Sequence, residues 1–228
     1  MSGAARSLQR RLPLFMGFLL LLLTVSLLSC RRTDEPDPCA APDALFFDDF
    51  EEDPACGWLL YDDSGLVAEI VDGQMQISTS QPGKIAWTNP NRTFDDLVVR
   101  VRTRQMAGPD DNAYGVICRY VDQENFYIFL ISGDGFYAIG KYESGRPQIR
   151  YLTGDGAYVY SEAINQGQAN NDIEASCIGD ELRLTVNGLR LATVTDDAFP
   201  AGDIGLGTST LDPGTAVIRF DNIRVQAP

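Results

Sequence analysis

Beyond residue 44 the chain alternates apolar and polar positions in short runs separated by turn dipeptides. An alternation with a period of two predicts strands with one face buried, because successive side chains of a strand point to opposite faces. The turns are Asp72-Gly73, Asp134-Gly135, Asp155-Gly156 and Asn187-Gly188, pairs suited to the backbone angles of tight hairpins. The run ELRLTVNGLRLATV predicts the clearest hairpin. A two-residue Asn187-Gly188 turn sets Val186 opposite Leu189 and Leu184 opposite Leu191, with Arg183, Thr185 and Arg190 on the other face. Tyr114 to Tyr142 predicts three consecutive antiparallel strands that turn at Asp122–Asn125 and Ser132–Gly135, and there both faces are apolar or aromatic. In the last strand Ala216, Ile218 and Phe220 keep one parity and Ile223 and Val225 the other, a slip that predicts a β-bulge at Asp221-Asn222. After the N-terminal apolar run no window of twelve residues carries a helical stripe, so helices are at most short connectors. Many short strands at regular spacing predict an all-β antiparallel sandwich of the jelly-roll type.

The N-terminus is different. An uncharged apolar run from about Leu12 to Leu28 follows Arg6, Arg10 and Arg11 and closes on Leu27-Leu28-Ser29-Cys30. This is the pattern of a bacterial lipoprotein signal peptide over residues 1–29, with Cys30 as the lipidated first residue of the mature chain. The run is shorter than the roughly 20 apolar residues that span a bilayer, and the RRTDEPDPCAAPDA behind it cannot continue an apolar helix. An ordinary signal peptide or a signal anchor is the alternative, and each places the remainder outside the cytoplasm. Residues 30–44 read as the lipidated cysteine and a disordered tether. Residues 45–228 have an even composition with no second linker and no repeat, which predicts one domain.

Charge narrows the partners. Without residues 1–29 the chain has 15 basic against 32 acidic side chains, a formal charge of −17. Such a surface repels nucleic acid and anionic lipid head groups, so membrane contact is expected through the lipid anchor alone. The acidity serves solubility, or part of it coordinates calcium, the cation that carboxylate oxygens select.

Five cysteines, Cys30, Cys39, Cys56, Cys118 and Cys177, make an odd count that lipidation of Cys30 resolves. Of the three connectivities left, Cys39 with Cys56 is favoured by proximity. Cys118 with Cys177 is favoured because each lies in a strand-like run and a bridge would tie two non-local strands. The alternative for that second pair is two buried free thiols, and an oxidising compartment favours the bridge.

Several motifs carry a family resemblance. G-V-I-x-R-Y-x-D-x-x-N-F-Y at Gly115 to Tyr127 is followed by D-G-x-Y-x-I-x-K at Asp134 to Lys141. D-x-L-x-L-x-V-N-G-x-x-L then spans Asp180 to Leu191, with G-D-I-G-L at Gly202 to Leu206 and F-D-N-I-R-V at Phe220 to Val225. This stretch, Leu45 to Val225, resembles the concanavalin A-like jelly rolls of bacterial envelope proteins, in particular laminin-G-like domains related to the group named 3-keto-disaccharide hydrolase-like. The resemblance implies two curved sheets with sugars held on a concave face or at loop edges by aromatic rings and polar side chains. The candidates here are Trp87, Arg119, Tyr120, Tyr127, Tyr137 and Tyr142, against the alternative that the rings pack a core. Arg119 lies in an apolar strand and must find a partner, which could be a ligand or an acid such as Asp122 or Glu124. The resemblance also implies a structural Ca2+ held by Asp48 and Asp49 of the first strand with Asp221 of the last, or else an Asp221-Asn222 pair that merely caps the bulge.

Catalysis is judged largely by what the sequence omits. The chain has no histidine, which removes His-based triads and His-ligated zinc in their usual forms. Glycosidases of this architecture carry paired carboxylates as E-x-D-x-x-E, and that motif occurs nowhere. Asp172 and Glu174 share parity but have no neighbour to set them apart chemically. The expectation is therefore an extracytoplasmic, non-catalytic module for a glycan or another envelope component. A glycoside-processing hydrolase and a structural protein-interaction domain are the competing classes.

Overall fold

The computed structural model describes Asp37, residues 39–51 and residues 56–228. The expected signal peptide, Cys30 and the start of the tether lie outside the described residues. The described residues form sixteen strands: β1 Phe46–Asp48, β2 Tyr61–Asp63, β3 Leu66–Val71, β4 Gln74–Thr79, β5 Ile85–Thr88, β6 Leu97–Ala107, β7 Asn112–Asp122, β8 Asn125–Ile131, β9 Phe136–Tyr142, β10 Arg150–Tyr151, β11 Val159–Tyr160, β12 Asn170–Ile178, β13 Glu181–Val186, β14 Leu189–Thr195, β15 Asp203–Thr210 and β16 Ala216–Gln226. No helix occurs among the described residues. The strands make two antiparallel sheets. One runs β14-β13-β12-β6-β16-β4-β3-β2 with β1 on β16, and the other runs β10-β9-β8-β7-β15-β5 with β11 on β9. This is the sandwich that the period-two pattern predicts.

The inner faces of the two sheets form the main core. Met75, Ile77, Val99, Val101, Ala175, Leu182 and Leu184 of the nine-stranded sheet pack with Val116, Phe129, Ile131, Ile139 and Leu206 of the seven-stranded one. Each of these side chains larger than alanine contributes roughly 1.5–3 kcal/mol through its removal from water. Two disulfides reinforce this core, and both have the predicted pairing. Cys118–Cys177 joins β7 to β12 and so crosslinks the sheets, and Cys39–Cys56 fastens the start of the domain to the segment before β2.

Local chemistry explains the turns. Asn187 and Gly188 take φ of 51° and 80°, as their hairpin requires. The predicted register holds at Val186↔Leu189 and Thr185↔Arg190, and a shift between Leu184 and Thr185 then pairs Leu184 with Ala192 rather than Leu191. The Asp221-Asn222 bulge is present, with Asn222 at φ 54° and the register against β6 slipping between Asp221 and Arg224. One boundary moves. Asp37 and residues 39–44, assigned to a disordered tether, belong to the domain: Cys39 is buried in the core and Phe47 N–H donates to its carbonyl at 2.8 Å.

Candidate functional site

A second apolar cluster covers the outer face of the seven-stranded sheet. Ile117, Phe126, Ile128 and Leu130 are buried there, and Trp87, Tyr120, Tyr142, Ile149 and Tyr158 pack over them. The stack centres on Phe126, whose ring lies 4.6 Å from Tyr142, 5.6 Å from Tyr120 and 6.1 Å from Trp87. Much of this face is therefore filled by the protein's own side chains. It opens beside β5.

There a cleft of about 290 Å³ is lined by Leu59, Tyr61, Ile85, Trp87, Asn89 and Tyr120. Leu59, Asn89 and Tyr120 also line a second depression of about 590 Å³, which reaches Trp58, Leu60, Arg92, Val121 and Asp203. The floor is fixed from below. Tyr61 donates its hydroxyl to the Trp87 carbonyl at 2.9 Å, Thr88 Oγ1 donates to the Leu59 carbonyl at 2.7 Å, and Asn89 Nδ2 donates to the Ile204 carbonyl. The Asn89 amide lies directly over Gly205, where a Cβ would come within 2.6 Å of it. Burial raises the hydroxyl pKa of both Tyr61 and Tyr120, so both are neutral donors at physiological pH.

Asp203 is the chemically unusual group. It is 8% exposed, and burial pushes its carboxyl up to about 6 despite the backbone N–H groups of Arg92, Ile204 and Asn91 and the Arg92 charge, all of which favour the ionised form. A carboxyl balanced this close to neutrality donates a hydrogen bond when protonated and accepts when ionised.

A bulge in β7 decides which predicted residues reach this cleft. Arg119 takes φ of 52° and the register slips on both sides, between Cys118 and Asp122 against β8 and between Asp203 and Gly205 against β15. Cys118 and Arg119 consequently both turn inward, and Tyr120 returns to the outer face. Arg119 is 1% exposed and donates to the Gly179 carbonyl at 2.7 Å, the Phe199 carbonyl at 3.0 Å and Asp96 at 3.1 Å. It is a core clamp, and its acid is Asp96 rather than Asp122 or Glu124. Asp122 instead caps its own turn by accepting from Glu124 N–H at 2.8 Å. Tyr127 and Tyr137 also face the core. The Tyr127 hydroxyl donates to Asp196 at 2.6 Å and the Tyr137 hydroxyl to the Leu191 carbonyl at 3.0 Å. Burial pushes Asp196 up, but hydrogen bonds from Tyr127, Lys141 and the Ala198 N–H hold it lower than an ordinary carboxylate.

Of the six predicted ligand residues the structure thus brings Trp87 and Tyr120 to the cleft and sets Tyr142 beside it on the same face. Arg119, Tyr127 and Tyr137 are structural. Asn89, Arg92 and Asp203 were not singled out. Asp203 lay inside the Gly202 to Leu206 motif, but nothing in its spacing signals a buried carboxyl.

The carboxylates proposed for calcium are already engaged. Asp48 accepts from the Phe50 N–H at 2.8 Å, the Trp58 Nε1–H at 3.0 Å and the Cys56 N–H at 3.2 Å, Asp49 accepts from the Glu51 N–H, and Asp221 accepts from Gln74 Nε2 at 3.1 Å. Three N–H donors on one carboxylate do the work a cation would do, and no group of three acidic or cysteine ligands converges among the described residues. These residues do not fit a calcium site. Asp172 and Glu174 do share a face, the outer face of the nine-stranded sheet, where Arg102 and Arg100 bind them at 3.0 and 2.6 Å.

No protein-family model and no curated protein matches the chain. Solved structures do match its fold. The chain is similar to the carbohydrate-binding module CBM66 from Bacillus subtilis, with a TM-score of 0.61 and 14% identity over 75% of this chain and 96% of that one. A Bacillus subtilis protein described as having a galectin-like fold gives 0.59 and 11% over 82% and 97%. The xylan β-1,4-xylosidase from Bacillus halodurans C-125 gives 0.58 and 13% over 82% of this chain but only 39% of the enzyme. At these identities the likeness establishes the architecture: this is a jelly-roll β-sandwich of the kind found in carbohydrate-binding modules and as one part of glycoside hydrolases.

Proposed function

We propose that the domain is an extracytoplasmic, lipid-anchored binding module that holds a glycan in the Trp87–Tyr120 cleft and releases it unchanged. The observation that carries this reading is the pairing of two part-exposed rings, Trp87 and Tyr120, with Asn89 and Gln123 in one open cleft, which adjoins the depression that Asp203 lines. Sugar rings present C–H faces that stack on aromatics, and their hydroxyls need the donors and acceptors such polar groups supply. The architecture shared with a carbohydrate-binding module supports the same class. The two disulfides support an oxidising compartment. Cys30 as the lipidated residue rests on the sequence pattern before it.

Glycan-array binding tests the proposal. Binding that is lost in Trp87→Ala and Tyr120→Ala but retained in Tyr137→Phe supports it. Sugar released from a bound oligosaccharide would make the protein a hydrolase, and silence across neutral and acidic glycans would leave a protein partner as the function.

A further inference from the structure

The cleft lies where the domain begins. Asp37 binds the Arg92 guanidinium through both its oxygens, one at 3.0 Å from Nη2, and Arg92 lines the cleft. Two residues later Cys39 is bonded to Cys56, and the segment that follows Cys56 carries Leu59 and Leu60. The start of the described domain and the rim of the cleft are thus joined by one ion pair and one covalent bridge. Seven backbone steps separate Cys30 from Asp37, a contour of at most roughly 25 Å when fully extended.

The rim itself is apolar. Leu59, Leu60 and Val121 are 65%, 47% and 57% exposed and all line the same cleft. Scattered exposed leucines need no explanation, but three bulky apolar groups around one opening form a patch of the kind that meets a partner or a membrane. The domain is strongly acidic, so the patch cannot rely on attraction to anionic lipid. It requires a partner already brought close and not strongly charged.

We infer that the edge formed by Leu59, Leu60 and Val121 rests on the bilayer surface to which Cys30 is anchored, so that the cleft opens at the membrane rather than away from it. This inference rests on the lipid anchor of the proposed function and departs from the expectation that the anchor alone touches the membrane. The short span before Asp37 keeps the edge within reach of the head groups, and the Cys39–Cys56 bridge keeps that span from peeling away from the rim. Aliphatic side chains entering the interface gain free energy from leaving water without any charge requirement. The ligands presented to the cleft are then those within reach of the membrane surface.

The chain carries its own reporters, because both its tryptophans, Trp58 and Trp87, line the two halves of the cleft. Residues 37–228 form one compact unit that holds both sheets and both disulfides, which leaves Cys30 as the one free thiol of a chain spanning residues 30–228. That thiol is coupled to a maleimide phospholipid in phosphatidylcholine vesicles, with and without lipids bearing a nitroxide on the head group. The expected result is a loss of tryptophan emission in the nitroxide vesicles. A Leu60→Asp/Val121→Asp variant should recover that emission while still floating with the vesicles. Equal emission in the two vesicle types, or a loss that persists in the variant, overturns the inference. Anchoring in the native protein is read separately from the mass of the N-terminal peptide: an unmodified Cys30 overturns the anchor whatever the tryptophans report.

Discussion

Replacing Asp203 by asparagine should favour the folded protein progressively more as the pH rises from acid to neutrality. Burial raises this carboxyl from 3.8 to about 6 in the folded chain. The folded state therefore holds the proton more tightly than the unfolded state. A group shifted upward contributes fully below its unfolded value, near pH 4, and that contribution is lost as the pH rises through about 6. With each unit worth about 1.4 kcal/mol, the ionised carboxylate costs the fold about 3 kcal/mol at pH 7.5. Asparagine keeps the shape and one acceptor oxygen, which can still take the Ile204 N–H that Asp203 Oδ1 binds at 2.8 Å, and it cannot ionise; its NH2 gives the Arg92 and Asn91 N–H groups no acceptor, a cost that is the same at every pH. Relative to its value at pH 4, the variant's gain over the parent should amount to roughly 6–12 °C in Tm at pH 7.5, at the 2–4 °C per kcal/mol expected for a domain of this size. It should shrink steadily between pH 7 and pH 4. Thermal unfolding followed by circular dichroism across that range measures it. A difference between the two proteins that stays constant with pH would refute the reasoning, because it would mean that the carboxyl is not titrating differently in the folded state.

Cys118→Ala/Cys177→Ala should lose about 4 kcal/mol in urea unfolding, the loop entropy released by opening a bridge across 59 residues. Arg119→Met should lose about 2–4 kcal/mol, since two backbone carbonyls lose their donor and Asp96 keeps only the Gly179 N–H, yet its glycan binding should match the parent on the same array. Calcium at millimolar concentration and an excess of chelator should give the same unfolding midpoint, because the oxygens of Asp48 are already taken by N–H donors.

The alternation of side chains was enough to place the three strands from Tyr114 to Tyr142 and the final bulge, because burial of one face imposes a period that the sequence displays openly. Both cysteine pairings were legible for a related reason: each cysteine fell in a segment whose neighbours were plainly local or plainly strand-like. The site was only half legible. Parity alone would put Arg119 on the opposite face from Cys118, and the single residue in the left-handed region that cancels this alternation leaves no mark in the composition of β7. Tyr127 and Tyr137 show the same limit, since a tyrosine that reaches a carboxylate or a backbone carbonyl across the core is written with the same letter as one that meets a ligand. The acceptor role of Asp48 was hidden for a different reason, as its donors come from residues 50, 56 and 58, beyond the end of its own strand.

The bridge between Cys39 and Cys56 also settles how the fold bears tension. A pull on residue 37 enters two positions before the bridge, so the force divides at once, one share continuing along the chain to β1 and the other crossing covalently to the segment ahead of β2. Strand β1 pairs with β16 over only three residues and, alone, would offer such a load only that short ladder. With the bridge in parallel, stripping that strand no longer frees the N-terminus from the domain, and the cleft stays attached to whatever holds the other end.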